Sequence, residues 1–212
     1  MPEVKRTQAY AVVYESKGQF LIAKKLEKGY FFSTRGGQIV KRGKTLNGSN
    51  KYALPGGQVE PGETHLSTAK KEFEEETGQS LTGRYDEVKV PAMPWDGGTF
   101  NGTHFYYIAA YFKVQAQVLS ELISAISTKN LPASQQVVDA ILNGTKVNNI
   151  AITQYRDIKR ASPMCPADNE LALVAPWDLS LRWDTIAGWM GDQDLGWYYT
   201  ILKYLKETIL HI

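Results

Sequence analysis

Glu72, Glu75 and Glu76 lie close together in the stretch Lys71-Glu72-Phe73-Glu74-Glu75-Glu76-Thr77-Gly78. If the stretch is helical, the i, i+3, i+4 spacing aims all three carboxylates the same way. They also fall in its last turns, where peptide dipoles concentrate negative charge and each acid costs about 0.3 kcal/mol or more. Like charges at i,i+4, as at Glu72 and Glu76, add roughly 0.2–0.5 kcal/mol. A hard divalent cation, Mg²⁺ or Mn²⁺, offsets both terms because such ions prefer carboxylate oxygens. The bland alternative is a solvated acidic face partnered by Lys70 and Lys71.

The helix that must position these acids is marked at both ends. Pro61-Gly62 signals a turn, Thr64 suits the N-cap with Glu63 beside the positive end, and Gly78 suits the position after the last turn. Leu66, Ala69, Phe73 and Thr77 recur every three or four residues and define one buried stripe. At 3.6 residues per turn the three acids point about 120° round from that stripe, while Glu74 points elsewhere.

Ahead of the helix, Leu54-Pro55-Gly56-Gly57-Gln58-Val59-Glu60 reads as a strand end running into a glycine-rich loop. Paired glycines allow close backbone approach to a ligand or ion, and their carbonyls are oxygen donors of the kind hard cations accept. Gly57, Glu63, Lys71-Glu72-Phe73, Glu75-Glu76 and Gly78 together resemble the Nudix box, G-x5-E-x7-R-E-U-x-E-E-x-G-U, where U is a bulky apolar residue. Every acid of the pattern is present. The family arginine is Lys71 here and the final apolar residue is Gln79. Lysine keeps the charge but loses the planar fork that grips a carboxylate, so the Glu63–Lys71 pairing is expected to be looser.

The resemblance implies a Nudix fold, a mixed β-sheet in an α/β/α sandwich, to which periodicity adds a helical insertion before the last strand. It implies hydrolysis of the phosphoanhydride in a nucleoside diphosphate linked to some group X, with Mg²⁺ or Mn²⁺ as cofactor. Glu72, Glu75 and Glu76 become metal ligands, helped by the Gly57 carbonyl. Family members often place a further acid in a later loop, which makes Glu170 and then Asp168 candidates. The general base is one of Glu75, Glu170 or Asp168. Pro94 follows Gly78 at a distance where ADP-ribose-cleaving relatives often carry proline. ADP-ribose or a nucleotide sugar ranks first as substrate, a nucleoside triphosphate second, and an RNA 5′ end third. The rival from another class is a non-catalytic Nudix-like nucleotide sensor, and such relatives commonly lose the box acids that this chain keeps.

Composition fits a soluble globular enzyme: 212 residues, 43% hydrophobic, with a formal net charge of +2. That near-balance argues against a protein that mainly coats nucleic acid and leaves a local basic site open. Cys165 has no second cysteine to pair with, and no apolar run approaches the roughly 20 residues of a membrane span. Residues 1–6 do not read as a signal leader, so a cytoplasmic location is expected.

The remaining elements follow from pattern and punctuation. Residues 9–15 and 19–25 read as strand, turn and strand, and residues 27–50 as a long connection whose Arg35, Lys41 and Arg42 could reach substrate phosphates. Residues 85–90 and 103–114 read as strands, joined by a turn-rich loop over 91–98 in which Trp95 could stack on a nucleobase. His104 reads as a strand residue with a hydrogen-bond partner. Residues 117–160 read as a helical insertion, with helices over 118–129 and 134–144, packed on the parent fold or forming a homodimer surface. Asp168 and Glu170 fall in an acidic loop entering a strand, and 196–211 forms a covering helix. The chain reads as one Nudix domain over 1–212, taking a small-molecule nucleotide.

Overall fold

The computed structural model describes residues 4–32, 39, 42–88 and 94–212. Strands β1 (Val4–Tyr14) and β2 (Gln19–Phe31) are followed by β3 (Lys44–Thr45), β4 (Tyr52–Ala53), β5 (Gly56–Gln58) and helix α1 (His65–Thr77). Then come β6 (Asp86–Glu87), β7 (Trp95–Phe100) and β8 (Thr103–Lys113). A helical run, α2 (Ala116–Ala125), a π-turn (Ile126–Asn130) and α3 (Leu131–Asn143), leads to a small hairpin of β9 (Lys146–Val147) and β10 (Ile150–Ala151). Helix α4 (Tyr155–Ala161), β11 (Asp168–Asp178), α5 (Trp183–Ala187) and α6 (Gly196–Tyr204), extended by a second π-turn (Leu205–Leu210), complete the order.

The main sheet runs β11-β2-β1-β8-β6. It is mixed: β1 and β8 are parallel over their whole length, while β11 and β2 are antiparallel. Alternation along β1 explains the layering, because successive side chains face opposite sides of a sheet. Tyr10, Val12 and Tyr14 join a core under Ile201, Leu202 and Leu205 of the C-terminal helix. Ala9, Ala11 and Val13 join another under Ala69 and Phe73 of α1 and Leu119 and Leu122 of α2. The result is an α/β/α sandwich, each buried aliphatic or phenyl side chain contributing about 1.5–3 kcal/mol. No helix among the described residues is long and apolar enough to cross a membrane.

One departure from regularity creates the site. β1 and β2 pair with each other only beside their turn, at Tyr14 and Phe20. Beyond it they splay, and the segment from β4 to β5 wedges into the gap: Tyr52 and Ala53 pair with β2, and Gly56 to Gln58 pair with β1. The glycine pair is thereby held in a backbone ladder, under the C-terminal half of α1.

Four elements differ from the sequence expectation. Residues 27–31 belong to β2 rather than to a connection. Trp95 to Gly98 lie in β7, which tolerates its glycines through a register shift between Asp96 and Gly98, where Asp96 Oδ1 accepts the Gly98 N–H at 2.8 Å. The gap expected around Pro132 is helical, because proline is tolerated in a first turn and a π-turn precedes it. Asp168 and Glu170 are strand residues of β11.

Candidate active site

Helix α1 begins and ends on side-chain and glycine caps. The Thr64 hydroxyl accepts the Ser67 N–H at 3.1 Å, the Ser67 hydroxyl accepts the Thr64 N–H at 3.0 Å, and Gly78 closes the helix in the left-handed region. No basic residue sits in its last turn, so the acids there meet the negative helix end unassisted.

Glu76 is 2% exposed. Its Oε1 accepts the Gly56 N–H at 3.3 Å, and its Oε2 has no hydrogen-bond partner among the described residues. Burial, then the neighbouring Glu170, pushes its carboxyl well above the usual range. Glu72 faces Gly57, where a side-chain carbon would come within 2.7 Å of either carboxylate oxygen, so only glycine leaves it room. Burial, then Glu75, raises Glu72 to about 7. Glu75 is half-buried and raised by burial first.

Strand β11 brings two more acids to the same field. Burial, then Glu170, Glu75 and Glu72, pushes Asp168 up to about 8. Glu170 Oε2 lies 3.4 Å from Lys25 Nζ on β2, and Gly29 lets the strands approach there, since a Cβ on it would come within 3.2 Å of Glu170 Cγ. Lys71 Nζ sits 3.3 Å from Glu63 Oε1, while the Thr68 hydroxyl donates to Glu63 Oε2 at 2.8 Å. The Thr68 hydroxyl, then Lys71, holds Glu63 below the usual carboxylate range.

Carboxylates crowded this way fit hard divalent cations. All the donors are oxygens, and Glu76 Oε2 is a buried acceptor left unpaired, which costs about 1–3 kcal/mol unless something cationic or protic meets it. Among the described residues, no three His, Cys, Asp or Glu side chains stand close enough together to hold a metal ion as they are placed.

Beside the acids opens a cleft of about 740 Å³. Tyr10 connects the two: it lines the cleft, and Glu76 and Glu72 contribute, after burial and Tyr107, to the rise in its hydroxyl pKa. Beside Tyr10, whose ring lies 4.1 Å from that of Trp197, Tyr107 of β8 stacks on Trp197 of α6 at 4.8 Å and 14°. Gln8, Asn47 and Gln193 supply amides, and Lys25 is the one basic residue on the wall among the described residues. Trp95 is not on this wall; it is half-buried and meets Tyr204 edge-on at 6.4 Å. Arg42 is exposed and also off the wall, whereas Arg35 and Lys41 lie outside the described residues. His104 bonds Thr99 through Nδ1 at 3.0 Å, and its Nε2 lies 2.7 Å from Asp96 Oδ1.

Lys25, Tyr10, Tyr107 and Trp197 were not singled out by sequence. Lys25 at the end of an apolar run was the one available signal, and Trp197 reads as an ordinary member of a helical apolar stripe.

The model of the NUDIX domain matches residues 4–126, more than half of the chain. The chain belongs to the Nudix family. It is therefore a hydrolase acting on phosphoanhydride bonds, from a family that typically uses a divalent metal and takes nucleotide substrates. No curated protein matches it. Among solved structures it is similar to a Nudix hydrolase from Nitrosomonas europaea, at 16% identity over 94% of this chain and 88% of that one, with a TM-score of 0.42. It is also similar to a MutT protein from Methanosarcina mazei Go1, at 20% identity, 55% and 69% coverage and a TM-score of 0.36. A mutT/nudix family protein from Listeria innocua shows 20% identity, 56% and 71% coverage and a TM-score of 0.37.

Proposed function

We propose that this Nudix hydrolase cleaves a nucleoside diphosphate linked to X, with ADP-ribose or a nucleotide sugar as substrate, and that residues 1–212 act as one unit with residues 117–160 inserted. The observation that carries the substrate class is the cleft wall. It is aromatic and amide-lined, with Lys25 as its one cation among the described residues, and Lys25 is already paired with Glu170. A triphosphate would bring more negative charge than such a wall could neutralise. A base and a sugar, by contrast, match stacking faces and amide hydrogen bonds.

In this reading Glu72, Glu75 and Glu76 hold Mg²⁺ or Mn²⁺ with the Gly57 carbonyl. When bound, the ion neutralises phosphate charge and lowers the pKa of water. Glu63 and Lys71 brace the loop against the helix. Of the three base candidates, Asp168 is favoured over Glu75 and Glu170. Glu75 is committed to the cation in this reading and Glu170 is tied to Lys25, which leaves Asp168 as the carboxylate able to take a proton. The Tyr107–Trp197 wall holds the nucleoside.

A substrate panel with Mg²⁺ and with Mn²⁺ tests the proposal. ADP-ribose and nucleotide sugars should be cleaved to two monophosphates with kcat/KM at least about tenfold above that for nucleoside triphosphates, a difference of roughly 1.4 kcal/mol in transition-state stabilisation. Preference for a triphosphate, or for a capped or triphosphorylated RNA end, would reject it.

A further inference from the structure

The helical run between β8 and β11 turns three polar side chains, Ser127, Asn130 and Ser134, toward the two acid-bearing elements. Their spacing of three and four residues places them on one face of a helix. The π-turn between α2 and α3 ends at Asn130, and such turns shift the register of a helix face.

Asn130 is completely buried and its amide is fully engaged. Its Nδ2 donates to Met164 O at 2.7 Å and to Gly78 O at 3.4 Å, and its Oδ1 accepts from Gln79 Nε2 at 2.8 Å. Gly78 ends α1 immediately beyond the box acids, and a Cβ on it would lie 2.6 Å from Asn130 Nδ2. Met164 belongs to the segment entering β11. One turn further along, Ser134 Oγ accepts from Asn169 Nδ2 at 2.8 Å, and Asn169 is the buried residue between Asp168 and Glu170. Ser127 Oγ donates to Val174 O, farther along the same strand, at 3.1 Å.

These contacts tie α1 to β11 where their carboxylates repel each other. The Gln79 that replaces the usual apolar residue of the Nudix pattern is the donor to Asn130, so the departure and the buried amide are two halves of one contact. A buried amide is costly unless fully paired, which makes the contact specific in geometry.

We infer that Asn130 is a positioning residue for the metal-binding carboxylates, setting how closely Asp168 and Glu170 approach Glu72, Glu75 and Glu76. The inference rests on the proposed role of those acids as cation ligands.

The test is Mn²⁺ binding to the full chain, measured by titration calorimetry, with thermal melting alongside. Asn130→Ala should weaken Mn²⁺ binding about 10- to 100-fold, the range seen when groups orienting metal ligands are removed. With ADP-ribose its kcat should fall while KM moves less than about threefold, as for a group acting on the chemical step. In an Asp168→Asn background the same substitution should weaken Mn²⁺ binding far less, because residues acting through one another are not additive. Ser134→Ala, a one-atom deletion acting on Asn169, should weaken binding in the same direction if Asn130→Ala does not fold. Additive losses, or wild-type Mn²⁺ binding in Asn130→Ala and Ser134→Ala alike, would overturn the inference and leave the metal site standing. An unaltered protein that binds no Mn²⁺ would overturn both.

Discussion

Gly57 and Glu72 are so close that a methyl group on the glycine would overlap the Glu72 carboxyl carbon. The glycine thus reserves a place for a carboxylate. Gly57→Ala should displace Glu72 and reduce kcat about 100-fold, on the scale of losing a preorganised electrostatic group. Circular dichroism should remain that of the unaltered protein, since Gly57 is held by its ladder to Ala9. Activity equal to wild type would mean Glu72 has no part in the site.

The raised carboxyls predict how metal-free stability varies with pH. Glu72 is raised to about 7 and Asp168 to about 8, so the folded state binds protons more tightly than the unfolded chain. Their stabilising contribution is complete below about pH 4, the unfolded value, and is lost as pH rises through 7 to 8. In chelator, the melting temperature should fall between pH 5.5 and 8.5. Added Mg²⁺ should raise it most at the alkaline end, where the carboxylates are ionised. A melting temperature in chelator that rises steadily over that range would contradict the assignment of these groups as crowded acids.

Lys71→Arg restores the residue of the family pattern, yet a large gain is not expected. The second oxygen of Glu63 is already occupied by the Thr68 hydroxyl, leaving one for the arginine fork. The change in kcat/KM should stay within about threefold, in line with the roughly 0–1 kcal/mol of an exposed ion pair. Combining it with Thr68→Val leaves that oxygen only the long bond from the Glu60 N–H, at 3.5 Å, and should reveal the larger effect; equal steady-state rates for the two variants would contradict this.

Trp197→Ala removes one partner of the aromatic pair lining the cleft. It should raise KM for ADP-ribose about 10-fold or more, following the roughly 1–3 kcal/mol of base stacking, with kcat little changed. An unchanged KM would place the nucleoside elsewhere. Trp95→Ala, off the wall, should leave KM as it is.

The box acids, the caps of α1 and the alternation in β1 are all local patterns, and each is readable because side-chain period and backbone geometry are linked over a few residues. Asp96 to Gly98 misleads for the same reason: the glycines mark a bulge inside a strand, and the strand forms because β8 supplies its partners. Trp197 and Lys25 come to line the cleft only when the sheet splays and distant elements meet, which no local pattern records. Asn130 is harder still. Its role depends on a π-turn and on Gln79, and an isolated asparagine next to leucine and proline carries no visible sign of either.

Trp197, Gln193, Asp168 and Glu170 all come from beyond residue 126, where the match to the NUDIX domain model stops. In the proposed reading the motif supplies the acids that hold the cation, while the base and part of the nucleoside wall are borrowed from the chain that follows it. An intact signature would then be inert by itself: without the final strand and the closing helix, the same glutamates would have neither a proton acceptor beside them nor an indole to hold a nucleoside.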